Sequence, residues 1–395
     1  MNASETSNLP IIAMFTPLKD LPERKNWTLG ELNERQVQLL VPVIIFISTA
    51  MVVGIVGNAL VLYVNIVVLT LRNSTHRFCT TFLALVDVTF CTICYPFMIG
   101  NLTHPYTFTN MPACKGLSAF AYFNALVSAL VLLVIAVDRY RRICRPYGNQ
   151  FSTSSMKHLF GIIVFLSAIV SIPSFILYGK NTIQTGIANI TGTQCFPDDM
   201  YNDTLFPKGY SIFLFALFII VSALMSVFNT LVCRQIRKHK HSLKPRDLSE
   251  AKQMNVWTTD TSFPEMSSVR TIAETQDNTQ DSKCAGDPGQ YINEGNKGNN
   301  VKKRTNRDKS IRISRILFVV TIVFVLSFAP YLSLELLKYF DKTFIEKLDN
   351  TSTVFYQLFF RTYAINFMVN PFLYSIMDRR FQVECKKLVL KRLRF

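Results

Sequence analysis

Five polar side chains interrupt otherwise apolar stretches of this chain: Asn58, Asp87, Ser128, Asn366 and Asn370. Carboxylate, hydroxyl and amide oxygens together suit a hard monovalent or divalent cation. A lone aspartate in apolar surroundings needs such a cation or a set of hydrogen-bonding partners. A water-bearing polar network with no ion uses the same residue types. A second constellation, Asp138-Arg139-Tyr140, places an arginine beside a carboxylate that can hold it or release it to a partner. Interfacial snorkelling of the arginine is the simpler alternative. The apolar stretches offer only Asp87 and Arg361 as charges, with no nucleophile–base set and no metal-ligand cluster. Nothing there points to an enzyme, and no cofactor is implied.

The elements that position these groups are long uncharged runs. Of the 395 residues, 49% are hydrophobic and 17% charged, and the runs Leu39–Leu71, Gly116–Val137, Leu159–Gly179, Tyr210–Cys233 and Ile316–Leu334 hold no charge. Phe78–Ile99 carries only Asp87, and Asn350–Met377 only Arg361. A helix crossing a bilayer needs roughly 20 apolar residues, so the chain reads as seven spans. The fold class is an all-α integral membrane protein, a seven-transmembrane helix bundle, which excludes a soluble enzyme, a disulfide scaffold and a β-barrel.

The net charge of +16 sits in alternate connections: Arg72 to Arg77, Arg139 to Arg145, Arg234–Lys244, Lys302–Arg315 and Lys386–Arg394. This is the positive-inside pattern, and it accounts for the charge without a nucleic acid. Six N-glycosylation sequons, at Asn2, Asn26, Asn101, Asn189, Asn202 and Asn350, fall on the opposite, outer side, and a seventh, at Asn73, falls in the first inner loop and is expected to be unmodified. Together they predict a multi-pass plasma-membrane protein with its N-terminus outside and its C-terminus in the cytoplasm. Residues 1–38 form the outer N-terminus, 39–236 the first five spans, 312–377 the last two, and 378–395 an amphipathic helix with a short tail. The segment 237–311 is polar and poor in aromatics, too little to build a core, and reads as a disordered inner loop.

Of nine cysteines, only Cys114 and Cys195 lie outside the membrane on the oxidising side, where a disulfide persists. Their pairing would pin the second outer loop to the third span. Thr182–Gln194 alternates as a hairpin does. In the tail, Phe381, Cys385, Leu388 and Val389 follow helical spacing among Lys and Arg, which suits anionic membrane lipid, with Cys385 placed for palmitoylation.

These marks in this order resemble a rhodopsin-like (class A) G-protein-coupled receptor. They are Gly57-Asn58, Leu83-Ala84-Leu85-Val86-Asp87, Cys114 with Cys195, Asp138-Arg139-Tyr140, Phe324 to Phe328 with Pro330, Asn370-Pro371-Phe372-Leu373-Tyr374, and Phe381. The resemblance covers about Leu39 to Leu390 outside the inner loop. It implies a receptor for an extracellular ligand that activates heterotrimeric G proteins, and it assigns roles. Asp138, Arg139, Tyr140, Asn370, Pro371 and Tyr374 would form the G-protein switch, and Phe324, Phe328 and Pro330 the packing relay. Asp87, Ser128, Asn366 and Asn370 match the family's sodium pocket, which favours an allosteric sodium ion. Proline kinks are expected at Pro330 and Pro371.

The departures narrow the ligand. Phe328 replaces a usual tryptophan, Ile163 lies near another, Val221 stands near a usual proline, Phe228 or Asn229 replaces a usual tyrosine, and Ser310 takes the place of an acid. Ala121 stands where amine receptors carry an aspartate, and Ala364 where opsins carry the retinal lysine. A hairpin lid resembles peptide receptors, so a neuropeptide is the leading ligand. A lipid or other small molecule is the alternative; a transporter or channel is distant, for there is no inverted repeat. The pocket is expected to include Ala121, Tyr122, Ala125, Tyr331, Leu332, Glu335, Phe360 and Ala364. Glu335 is expected either to pair with a ligand cation or to sit as an acid near the headgroups. The tail from Ile376 has no Ser or Thr. Phosphorylation that recruits arrestin is therefore expected at Thr258, Thr259, Thr261, Ser262, Ser267 and Ser268, unless that stretch is plain linker.

Overall fold

The structure is a computed structural model that describes residues 27–68, 75–185, 187, 189–241, 318–338, 340, 344–377 and 382–387. Among the described residues, six helices are long and apolar enough to cross a membrane: Leu29–Val67, Arg77–Thr103, Met111–Cys144, Thr153–Leu177, Phe206–Lys238 and Phe318–Lys338. We number these spans one to six. The first begins ten residues before the uncharged run, because Thr28 caps it. The Thr28 hydroxyl accepts from Glu31 N, and the Glu31 carboxylate accepts from Thr28 N at 2.9 Å. The fifth helix continues to His241, beyond the boundary expected at residue 236.

The seventh span is not one helix. It runs as Asn350–Phe359 and Ile365–Met377, joined by a short 3-10 turn at Thr362–Ala364. Arg361 departs from helical geometry at φ −112° and ψ 10°. Its guanidinium Nη1 turns back onto Gln357, donating to the backbone oxygen at 3.2 Å and to Oε1. Asp349 caps the first piece, donating nothing and accepting from Thr351 N at 3.2 Å. A hydrogen bond from Ser352 holds its carboxyl below the usual aspartate range.

Apolar residues line both the inside and the outside of the spans. Phe90, Val131, Met225, Phe324 and Phe367 are buried, while Ile45, Val56, Phe165, Ile172, Ile220 and Leu326 are more than two-fifths exposed, as surfaces meeting lipid tails are. Spans one and seven approach closely at Gly57. A Cβ there would lie 2.9 Å from Pro371. Proline removes the N–H that would bond the carbonyl four residues earlier. For Pro371 that carbonyl is Phe367, and Asn58 Nδ2 donates to it at 2.8 Å. A residue of the first span thus completes the backbone of the seventh.

Between spans four and five, β1 (Tyr178–Gln184) pairs antiparallel with β2 (Thr191–Pro197), with Lys180 opposite Cys195. The hairpin is somewhat longer than the alternating segment. The Cys114–Cys195 disulfide, with its Cα atoms 5.5 Å apart, straps β2 to the start of the third span. Thr193 N donates to Tyr106 O at 2.8 Å, which also ties β2 to the loop after span two.

Candidate functional site

Beside the hairpin the helices enclose a cavity of about 1160 Å³, part of it open to solvent. Ala121 and Tyr122 of span three, Tyr331 of span six and Phe360 of span seven line it, together with Tyr178 and Phe196 of the hairpin. The Tyr122 hydroxyl lies 2.7 Å from that of Tyr331 and 3.0 Å from that of Tyr178, so three elements meet in one hydroxyl chain. A deeper, almost wholly apolar chamber of about 550 Å³ shares Tyr122 and Tyr331 and adds Ala125, Leu332, Phe324 and Phe328.

Glu335 and Ala364 are not among the residues that line these two cavities. Glu335 is buried and paired with Lys338 of its own span at 2.7 Å, so its charge is neutralised before any ligand arrives. Lys338 Nζ lies 3.8 Å from the Phe196 ring centroid and 5.1 Å from that of Phe360. Ala364 is fully buried in the core, and its carbonyl accepts from the Tyr95 hydroxyl at 2.7 Å. The 3-10 turn displaces it from the face that a continuous helix would present. Arg361, beside the same turn and in sequence only the one charge of its span, lines the cavity wall.

The mid-span polar residues do converge. Asn370 Nδ2 donates to Asp87 Oδ2 at 2.7 Å, and Asn366 Nδ2 donates to Ser128 Oγ at 3.2 Å. Asp87, Asn58 and Ser128 are fully buried. Asp87 Oδ1 and Asn58 Oδ1 are enclosed with no hydrogen-bond partner. A buried carboxylate oxygen left unpartnered is costly. The unpartnered Asp87 oxygen is of the kind a small hard cation takes; Asp87 and Ser128 would hold one, with Asn370 and Asn366 hydrogen-bonded to them.

Aromatic rings link the cavity to the interior. Tyr331 and Tyr363 have centroids 4.7 Å apart, Tyr363 and Phe328 6.1 Å, Phe328 and Phe324 4.9 Å, and Phe324 and Phe218 5.8 Å. Near Pro330, the Thr362 hydroxyl donates to Ser327 O at 2.8 Å, joining spans six and seven. At the far end from the hairpin, Asp138 holds Arg142 by two bonds of 2.8 and 3.0 Å, while Arg139 Nη2 stands 3.9 Å away. Arg139 is buried, and its Nε has no partner. Tyr140 packs on Phe228 at 5.4 Å. Asn229 donates to Thr321 Oγ1 at 2.7 Å and so ties span five to span six.

The remaining candidates scatter. Asn189 and Asn202 are exposed, and Asn189 has φ 65° in the hairpin turn. Asn350 begins the first piece of span seven and is half-buried. Asn101 lies inside a helix and lines the cavity, half-buried, with its Oδ1 enclosed. Cys385 is half-buried on the short helix 382–387, where burial and then Glu384 push its thiol up. Asn2, Asn26, Asn73, Thr258, Thr259, Thr261, Ser262, Ser267, Ser268, Ser310 and Phe381 lie outside the described residues, as does the side chain of Tyr374.

A helical bundle with a strapped hairpin, a cavity beneath it and a charged Asp138-Arg139 end describes a membrane receptor. The chain matches the 7 transmembrane receptor (rhodopsin family) over residues 57–374 and belongs to that family. Among known proteins, cholecystokinin receptor type A of Cavia porcellus is 25% identical over 363 residues, covering 88% of this chain and 79% of that receptor. The protein is a multi-pass plasma-membrane G-protein-coupled receptor. It transmits the binding of a ligand to a heterotrimeric G protein and is not an enzyme.

Proposed function

We propose that the ligand is an extracellular peptide of the neuropeptide kind, bound between the hairpin and Tyr122, Tyr331 and Phe360. The observation that carries this reading is the hairpin strapped across the mouth of a wide cavity, leaving that cavity open to solvent. A short chain can enter such a site and lie along β2. The similarity to a protein named as a cholecystokinin receptor supports it. In this reading the hairpin end and the N-terminus face outward, Asn189 and Asn202 carry glycans, and the C-terminus is cytoplasmic.

Contact at Tyr122 and Tyr331 alters the hydroxyl chain and presses on Tyr363, Phe328 and Phe324. The sixth span swings about Pro330, and its inner half parts from the fifth as the Asn229–Thr321 bond opens. Arg139, only loosely held by Asp138, then meets the G protein, with Tyr140, Asn370, Pro371 and Tyr374 shaping that face. Sodium at Asp87 and Ser128 would supply fixed positive charge to an otherwise uncompensated carboxylate. Arrestin reads phosphates on Thr258 to Ser268, and Cys385 and its basic neighbours hold membrane lipid.

A screen of cells expressing the full chain against a neuropeptide library, read by G-protein dissociation, tests the proposal. Activation by a short peptide, lost in Tyr122→Ala at equal surface expression, is the expected result. Activation only by apolar lipids or other small molecules would overturn it. The deep apolar chamber is the one observation that favours that second reading.

A further inference from the structure

Arg361 is the only charged residue among the described residues that line the cavity. Its guanidinium is always protonated and offers five N–H donors. Nη1 is used by Gln357, through the backbone oxygen at 3.2 Å and through Oε1. Among the described residues, Nε and Nη2 meet no acceptor and no carboxylate reaches the group. The centroid of the neighbouring Phe360 ring lies 5.9 Å from the guanidinium carbon. The other ionic groups of this region, Glu335 and Lys338, neutralise each other at 2.7 Å. The cavity therefore presents one uncompensated positive charge, with donors free to grip a planar oxyanion in two places.

We propose that the ligand of this receptor carries an anionic group, a carboxylate or a comparable oxyanion, and that Arg361 is its anchor. The proposal rests on the reading that this cavity is the ligand site. Tyr122, Tyr178 and Tyr331 add neutral hydroxyls along the wall, which tolerate an anion and give no counter-charge for a cation. An amine-bearing group placed there would meet Arg361 with no acid to compensate it, so the geometry selects by charge as well as by shape.

The test uses short synthetic peptides made as matched pairs. One member carries Asp or Glu and a free C-terminal carboxylate, and the other carries Asn or Gln and a C-terminal amide. A parallel panel holds carboxylate-bearing and neutral small molecules. G-protein dissociation is read in cells expressing the full chain, Arg361→Gln or Arg361→Lys at matched surface levels. Activators are expected in the anionic member, with the neutral partner weaker by about thirtyfold or more, as loss of a desolvated charge pair implies. Arg361→Gln is expected to erase that difference, and Arg361→Lys to restore part of it. If Arg361→Gln fails to reach the surface, the wild-type comparison within each pair decides. Neutral or cationic activators at equal or higher potency would overturn the anchor while leaving a peptide receptor. An anionic small molecule acting through Arg361, with every peptide silent, would overturn the peptide and keep the anchor. Silence of both panels counts against both.

Discussion

Replacing Asn58 with Ala should destabilise the bundle through a carbonyl that is far away in sequence. Asn58 Nδ2 makes two bonds, to Gly54 O at 3.0 Å and to Phe367 O at 2.8 Å. The Gly54 carbonyl lies inside a regular helix and keeps its backbone partner. The Phe367 carbonyl has no such partner, because Pro371 has no N–H to give. The substitution thus leaves one fully buried acceptor unmade, which costs about 1–3 kcal/mol. Bonds between membrane helices measure lower, roughly 0.6 kcal/mol on average and up to about 1.7, so a loss of about 1–2 kcal/mol is expected. That corresponds to a fall in Tm of about 1–3 °C for purified receptor of this length followed by thermal unfolding. The mechanism makes a sharper demand. In Pro371→Ala the restored N–H can bond Phe367 O, so Asn58→Ala in that background should cost at least about 1 kcal/mol less. Additive losses across the double-mutant cycle would refute the reasoning, whatever the size of each.

Sodium should lower agonist affinity when it replaces a bulky organic cation at constant ionic strength. A tenfold effect, about 1.4 kcal/mol, is what about ten times the ion's Kd supplies by mass action; Asp87→Asn should abolish it, and an unmutated receptor indifferent to sodium would remove the ion. Glu335→Gln should remove the carboxylate that neutralises Lys338 at 2.7 Å in a buried site and cost on the order of 3 kcal/mol of stability. The same variant should leave the potency of a neutral agonist within about threefold at matched surface expression; a larger loss would return Glu335 to the ligand site. Replacing Thr258, Thr259, Thr261, Ser262, Ser267 and Ser268 with Ala should reduce agonist-driven arrestin recruitment and internalisation several-fold, and undiminished recruitment would place shut-off elsewhere.

The spans were legible because a bilayer demands about 20 apolar residues and little else on this chain supplies them. The Cys114–Cys195 strap was legible because compartment sorting left two cysteines on the oxidising side, and the hairpin because it alternates. The Glu335–Lys338 pair was missed because Glu335 was considered alone. Lys338 stands three residues on, on the same helical face, where an ion pair is the ordinary expectation. Counting back from Pro371 to Ala364 assumes an unbroken helix, and the turn at Thr362–Ala364, which also carries Arg361 at its start, breaks it. A charged residue within an apolar run was the available signal for Arg361. The Asn58–Phe367 bond joins residues 309 positions apart, and no local pattern announces it.

The central claim is that ligand binding in the cavity beneath the hairpin drives a G protein at the Asp138-Arg139 end. Nucleotide exchange on purified heterotrimeric G protein, measured with the purified chain in proteoliposomes and a peptide that activates it in cells, tests this most directly. The account expects exchange to accelerate on adding the peptide, and to fall to the unstimulated rate in Tyr122→Ala and in Arg139→Ala at equal receptor density. Peptide-independent ion flux across the same vesicles, with no acceleration on any G protein, would contradict it.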